Sequence, residues 1–346
     1  MRSAAPKPRA LRVAIVGAGA MGYWHSRAAR RLGSQVVAVV DPDAKRAMGL
    51  ARVCRASAAL TEMPAPDAND LDAVHICSPA STHVMLVSKA LEAGIHVLVE
   101  KPLAGSAEET KRLLTLAQRQ NLILCPVHQI AFQAGVGDAR QACLELDKLC
   151  AIDFRIYSAG GAGRSPAEMD AIIADILPHP FSVLRKLWPQ ASWEPDRWSV
   201  TRPRSGELLV AGNHAGALLS LSVSMYARPT CFEMTVYGRD GAIALDFFHG
   251  FAIRYNGKVS RLSKILRPFG SSLKLFGISS INLIGRALRG EIAYPGLQQL
   301  TNHFYDAVRG IAPSPISFDD AMAVAIARDT VLAAGNGIVR GGFLVS

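Results

Sequence analysis

The sequence predicts two domains of mixed class. The first is an α/β domain on a doubly wound parallel sheet. The second is an α+β domain with an open, mostly antiparallel sheet. Three observations predict this. Through about residue 128, apolar strand-like runs alternate with helical stretches, the pattern of βαβ units. A glycine-rich turn, Gly17-Ala18-Gly19-Ala20-Met21-Gly22, lies directly between the first run and the first helix. After Val127 come several strand-like runs with short connections such as Gly238-Arg239-Asp240-Gly241, which read as hairpins. A chain of 346 residues favours two cores over one, and the domains are set at 1–128 and 129–346.

Residues 11–16 read as a buried strand and 21–32 as a helix. Residues 35–40 are the second strand, which ends at Asp41; a helix begins near Pro42, because proline suits a first turn. Residues 71–77 are a strand, 81–93 a helix closed by Gly94, and 95–99 the next strand. Ser106 caps a helix to about 120, with Glu109 completing a capping box, and 122–127 is the last strand of the first domain. A helix over 136–148 opens the second domain, and strands follow at 151–158, 208–211, 217–226, 233–237 and 243–247. Helices over 296–309 and 318–334 close the chain.

The glycine turn fits G-x-G-x-x-G. Gly17 permits the tight turn, Gly19 lets the backbone approach a pyrophosphate, and Gly22 lets helix pack on strand. The helix N-terminus, with Ala20 and Met21, then faces the phosphates. This is a Rossmann dinucleotide site. Asp41 lies 22 residues past Gly19; a carboxylate there accepts hydrogen bonds from a ribose diol and repels a 2′-phosphate. The expected cofactor is therefore NAD, with NADP as the alternative. Lys45 and Arg46 either form a solvated helix face or pair with a phosphate.

Glu100-Lys101-Pro102 ends the strand at 95–99. A lysine at the carboxyl end of a parallel strand sits where open α/β sheets bind ligands. Pro102 removes a backbone donor and restricts Lys101 to extended geometry. Further on, Asp175-Ile176-Leu177-Pro178-His179 precedes an apolar helical run. Prolines 178 and 180 are tolerable only in a first turn, so Asp175 is expected near the cap, with His179 on the same face at i+4. From the residues alone, this is either an N-cap aspartate with a core histidine or a proton-handling pair.

With the glycine turn and this spacing, Glu100-Lys101-Pro102 resembles the glucose–fructose oxidoreductase / inositol 2-dehydrogenase (Gfo/Idh/MocA) family, and the resemblance covers most of the chain. Cys77-Ser78-Pro79-Ala80-Ser81-Thr82-His83 is similar to the family's T-P-x-x-x-H segment, with Ser78 for threonine, which runs along the nicotinamide half of the cofactor. His83 is either a ligand there or a first-turn residue satisfied by backbone contacts. The resemblance implies an NAD(P)-dependent oxidoreductase acting on a secondary alcohol of a sugar or nucleotide sugar. It implies a frequently cis peptide before Pro102, a Lys101 that polarises the substrate hydroxyl, and a Glu100 that orients Lys101. The D-x-x-x-H motif implies His179 as proton shuttle, and Asp175 as the residue that contacts substrate or tunes His179. One departure concerns the substrate wall: the family often has a glycine run before that aspartate. Here residues 169–174 are Met-Asp-Ala-Ile-Ile-Ala, with Gly160, Gly161 and Gly163 further upstream. Asn213-His214 either reaches the site from a strand or is a plain strand-edge pair. Two other readings stay open. One is an NAD-dependent glycoside hydrolase that oxidises its sugar transiently; the other is a non-catalytic nucleotide-binding, membrane-associated protein.

Hydrophobic residues make up 50% of the chain and charged residues 19%, enough to bury sizeable cores. No apolar h-region follows Arg2, Lys7 and Arg9, which argues against a signal peptide. The six cysteines form no C-x-x-C pair and read as thiols of a reducing cytoplasm; the histidines lack metal-ligand spacing, so no metal is expected. The net charge of +10 is concentrated: between Asp246 and Glu291 there is no acid but eight basic residues, Arg254, Lys258, Arg261, Lys264, Arg267, Lys274, Arg286 and Arg289. No nucleic-acid motif accompanies them. Within this stretch, 261–289 interleaves basic with apolar residues and reads as an amphipathic helix broken at Pro268 and Gly270. It suits a helical insertion on the sheet, peripheral contact with an anionic membrane, or attraction of a phosphorylated substrate. A homo-oligomer is expected through the second domain.

Overall fold

The computed structural model describes residues 9–63, 71–257, 260–291 and 293–337. Lys258 of the basic segment lies outside them. The chain divides into two compact units: the part through Val127 together with Leu297–Phe318, and His128–Gly296 together with the part from Asp319.

The first unit begins with β1 (Arg12–Val16), α1 (Ala20–Arg31), β2 (Gln35–Val40), α2 (Ala44–Cys54) and β3 (Ala58–Leu60). It continues with β4 (Ala73–Ile76), α3 (His83–Glu92), β5 (His96–Val99), α4 (Ala107–Arg119) and β6 (Leu124–Pro126). The strands form one sheet in the order β3-β2-β1-β4-β5-β6, parallel throughout. β1 and β4 lie at its centre and are almost wholly buried, as β-branched runs covered on both faces must be. Helix α2 starts at Ala44, two residues later than proline placement suggests. The Asp43 carboxylate accepts from the Lys45 and Arg46 N–H groups at 2.9 and 3.3 Å and so sets the start. Ser106 caps α4 as expected, but the Glu109 carboxylate accepts from the Gly105 N–H at 3.0 Å.

The second unit holds α5 (Ala134–Leu144), β7 (Leu149–Tyr157), α6 (Pro166–Ile176), α7 (Pro178–Leu187), β8 (Ser199–Thr201), β9 (Glu207–His214) and β10 (Ala217–Ser224). Then come β11 (Cys231–Gly238), β12 (Gly241–Asp246), β13 (Phe251–Asn256) and α8 (Arg261–Arg289). The order β13-β12-β11-β7-β10-β9-β8 is antiparallel except for the parallel pair β7–β10. The core under this sheet includes Phe154, Phe181, Leu184, Val210, Leu221 and Met234. α8 runs unbroken through Pro268 and Gly270. A proline inside a helix removes one bond, and here the rest of a 29-residue helix carries it through.

The chain returns to the first unit with α9 (Leu297–Val308) and closes in the second with α10 (Phe318–Gly337). This departs from the single break expected at 128. Helix α9 buries Leu300, Phe304 and Tyr305 beside α1, and a helix goes where its apolar face is covered.

Candidate active site

The glycine turn after β1 has the shape a diphosphate needs. Gly17 has φ +99°, and a Cβ there would lie 2.7 Å from the Cys77 carbonyl carbon, because this turn passes directly over the end of β4. A Cβ on Gly22 would lie 1.9 Å from the Gly17 oxygen, so α1 rests on the turn itself. At Gly19 an added Cβ meets nothing within 4 Å. Gly19 is also the N-cap of α1, without a side-chain cap bond, so the first N–H groups, from Ala20 and Met21 onward, border open space. Two closed glycines and one open one form a cradle for an anion at a helix N-terminus. The residues present fit the pyrophosphate of NAD. Asp41 is buried at the end of β2, where one oxygen accepts from the Ala18 N–H at 2.8 Å and the other from the Asp43 N–H at 2.9 Å. Each carboxylate oxygen has a second lone pair, so the group can brace the turn and still accept from a ribose diol. The Lys45 and Arg46 side chains are exposed.

After β4, the Ser78 hydroxyl pairs with that of Thr82 at 2.7 Å, and Pro79 precedes a single 3-10 turn into α3. His83 is 1% exposed. Its Nδ1 lies 2.8 Å from the Pro102 carbonyl oxygen and its Nε2 3.0 Å from the Ser78 carbonyl oxygen. Both ring nitrogens therefore face main-chain carbonyls, and a ring with one proton donates to one of them. His83 thus bridges the two loops that carry Ser78 and Lys101.

Lys101 follows β5, half-buried, and the Lys101–Pro102 peptide is cis. Glu100 is buried at the end of a hydrogen-bonded chain that sequence reading missed. Its Oε2 accepts from the Lys101 N–H at 3.3 Å, and its Oε1 lies 3.1 Å from His25 Nε2. His25 Nδ1 is 3.0 Å from His75 Nδ1, and His75 Nε2 is 3.0 Å from the Tyr305 hydroxyl. With a carboxylate at Glu100 and one proton on each ring, only one set of directions is possible. Tyr305 donates to His75, His75 donates to His25, and His25 donates to Glu100. Burial agrees, since it pushes the His75 pKa well below its ordinary value and raises that of Tyr305. The nearby Cys77 thiol is raised too, by burial first and then by the Glu100 charge. The only signal in the sequence was His75, a polar residue inside the buried run Ala73-Val74-His75-Ile76.

In the second unit Asp175 is not at a helix cap. It lies exposed in the last turn of α6, and His179 lies buried in the first turn of α7, its ring 6.0 Å from that of Phe232. The N-cap of α7 is Leu177, itself in helical conformation. Pro178 lacks the N–H that would bond Ala174, so the ladder breaks while the chain stays helical, and Arg328 Nε donates to the Ala174 carbonyl at 3.1 Å. Residues 169–174, where the family often has glycine, are helical. The missed signal was Ser165-Pro166-Ala167-Glu168, a capping box with proline at N1.

His214 belongs to the core, whereas Asn213 beside it is exposed. It is 1% exposed on the inner strand β9, with ring centroids of Trp188 and Trp193 at 5.8 and 5.3 Å. Among the described residues neither of its nitrogens has a hydrogen-bond partner. Burial, and then the Arg185 charge, lowers its pKa to about 4. Above pH ~6.5 the ring is neutral whether folded or unfolded. As pH falls from ~6.5 to ~4 only the unfolded chain takes the proton, so roughly 3 kcal/mol of stability is lost across that window. Denaturant titrations at pH 7 and pH 4.5 should show this loss, and His214→Leu should reduce it. An unchanged pH dependence in the variant would assign the acid sensitivity to other groups.

Residues 11–128 match the family model described as Gfo/Idh/MocA, oxidoreductase family, NAD-binding Rossmann fold. The chain is 34% identical to a UDP-N-acetylglucosamine 3-dehydrogenase of Acidithiobacillus ferrooxidans over 149 residues, 40% of this chain and 45% of that protein. It is 34% identical to an inositol 2-dehydrogenase of Leifsonia xyli over 183 residues, 50% of this chain and 52% of that protein. It thus spans about half the length of these curated relatives. Among solved structures, the Acidithiobacillus dehydrogenase superimposes with TM-score 0.72 at 20% identity, over 96% of this chain and 100% of that one. The WlbA dehydrogenase of Bordetella pertussis, in complex with NADH and UDP-GlcNAcA, gives TM-score 0.74 at 15% identity, over 95% and 96%. At such identities the likeness is one of fold. With its open glycine turn, its Asp41 and the family match, the segment 11–128 is an NAD-binding Rossmann domain of the kind found in Gfo/Idh/MocA oxidoreductases.

Proposed function

We propose that the protein is an NAD-dependent oxidoreductase that moves hydride between a secondary alcohol of a sugar or nucleotide sugar and the nicotinamide. One observation carries the reading: a phosphate cradle at the end of β1 and Lys101 at the end of β5 lie along the same edge of one parallel sheet, the edge where such sheets bind ligands. The dehydrogenase and NADH-complex names among the relatives support it.

Gly17, Gly19 and Gly22, with the first N–H groups of α1, would hold the pyrophosphate, and Asp41 the adenosine ribose. Ser78 and Pro79 would line the nicotinamide half. NAD, when bound, supplies the hydride acceptor. Lys101 would donate a hydrogen bond to the substrate hydroxyl and favour the alkoxide that forms as hydride leaves. The Glu100 carboxylate, held by His25, accepts from the Lys101 main chain and orients that residue. His179 would take the hydroxyl proton, with Asp175 contacting substrate or orienting His179. The proposed setting is the cytoplasm, as a homo-oligomer, with peripheral membrane contact through 254–289. Exposed Leu209, Leu218 and Tyr237 on the second sheet support self-association.

The test is absorbance at ~340 nm with purified protein, NAD or NADP, and a panel of free and nucleotide-linked sugars. The expected result is a rise with one sugar class, with NAD preferred by about tenfold or more because Asp41 repels a 2′-phosphate. No NADH with any sugar, together with no NAD binding by titration, would overturn the proposal.

A further inference from the structure

Helix α8 faces the wrong way for a helix that covers its own domain. At about 100° per residue, Ile265, Phe269, Leu273, Phe276, Leu283 and Ile284 fall in one sector roughly 100° wide. Three basic residues of the helix, Lys274, Arg286 and Arg289, fall on the other side. A helix packed on its own core turns the apolar sector inward. In α8 the polar side faces inward. Asn282 Nδ2 and Arg286 Nη1 donate to the His249 carbonyl at 2.8 and 3.1 Å, and Lys274 Nζ donates to the Arg254 carbonyl. These bonds fix α8 beside β13. The apolar sector faces away from the protein, with Phe269 and Leu273 each 74% exposed, Phe276 72% and Leu283 68%. The helix is 29 residues and so roughly 43 Å long, and this row of exposed side chains runs along most of it. Single exposed apolar residues are ordinary; a continuous exposed row marks a docking surface.

We infer that this face docks on an anionic lipid bilayer, with the α8 axis in the plane of the membrane. Charge selects that occupant. Between Asp246 and Glu291 the chain has no acidic residue. A second copy laid against α8 would therefore bring two basic helices together, whereas an anionic headgroup layer offers the opposite charge along the whole length. Lys274 lies toward one flank of the apolar sector and Arg286 toward the other. Long basic side chains at such flanks reach headgroups while the apolar row enters the acyl boundary. The Lys274 bond goes to a main-chain carbonyl, which orients the cation without cancelling its charge. Spanning is not the mode, because among the described residues no helix is long and apolar enough to cross a membrane. This deepens the peripheral contact proposed above. It rests on α8 and β13 alone, so it stands or falls separately from the catalytic reading.

The test is co-sedimentation of the full-length protein with phosphatidylcholine vesicles, with and without about 30 mol% phosphatidylglycerol, at about 0.1 M and 0.5 M salt. The expected result is binding to the anionic vesicles, about tenfold stronger than to neutral ones and weakened by salt. The triple variant F269S/L273S/F276S should lose about tenfold in partitioning while its NAD binding and circular dichroism stay as in the parent. A Phe276→Trp variant should shift its emission to the blue with anionic vesicles only. Three results would overturn the inference. The parent protein fails to bind anionic vesicles; the triple variant binds as well as the parent; or the triple variant breaks a larger assembly into a smaller one while neither form binds vesicles, which assigns the face to a second copy.

Discussion

Lys101→Met is expected to lower kcat by about 10²–10³ and to leave NAD affinity within about twofold of the parent. Methionine keeps most of the length and apolar bulk of the lysine stem but removes the ammonium. It also leaves the Lys101 N–H, which donates to Glu100 Oε2, and the 101–102 peptide in place. The loss then falls on the cation that favours an alkoxide in the transition state, a contribution that appears in kcat. NAD titration by fluorescence, alongside NADH formation, separates the two quantities. Full turnover in the variant would remove Lys101 from the chemistry. Loss of NAD affinity with turnover intact at saturating NAD would make it a cofactor residue.

Gly22→Ala is expected to have a comparable effect by a different route. The new Cβ would sit 1.9 Å from the Gly17 oxygen and 3.3 Å from Leu50 Cδ2. A main-chain oxygen in a tight turn cannot swing aside as a side chain does. α1 must therefore move off β1, and the turn that cradles the pyrophosphate opens. The strain is that of overpacking a dense core, about 1–3 kcal/mol or more, and NAD affinity should fall with it. Gly19→Ala is the informative partner, because its Cβ meets nothing within 4 Å. It should leave the melting temperature near that of the parent and weaken NAD alone, since the methyl would occupy the space the phosphates need. Equal melting temperatures and equal NAD affinities in both variants would show that this turn does not hold a dinucleotide.

Most of the cofactor half is legible in the sequence. The glycine turn, the end of β2 at Asp41 and the end of β5 at Glu100-Lys101 are local patterns: short runs of apolar residues punctuated by residues that stop a strand. Such signals survive because parallel strands buried on both faces tolerate few alternatives. His83 shows the limit. Its position is visible in the sequence, but its two carbonyl partners, one at Ser78 and one at Pro102, depend on two loops meeting. Asp175 shows another. The prolines at 178 and 180 signal a helix start, while the capping box at Ser165 signals an earlier one, and both occur because a broken ladder need not end a helical path.

The sequence by itself determined the class of the fold, the dinucleotide turn and the lysine after β5, since each rests on residues close together in the chain. Only the tertiary structure decided the rest. It brought Glu100 to His25 across 75 positions and Tyr305 to His75 across 230. It also placed α9 in the first unit and turned the apolar row of α8 outward. Periodicity shows that a helix has an apolar side, but only packing decides what that side meets.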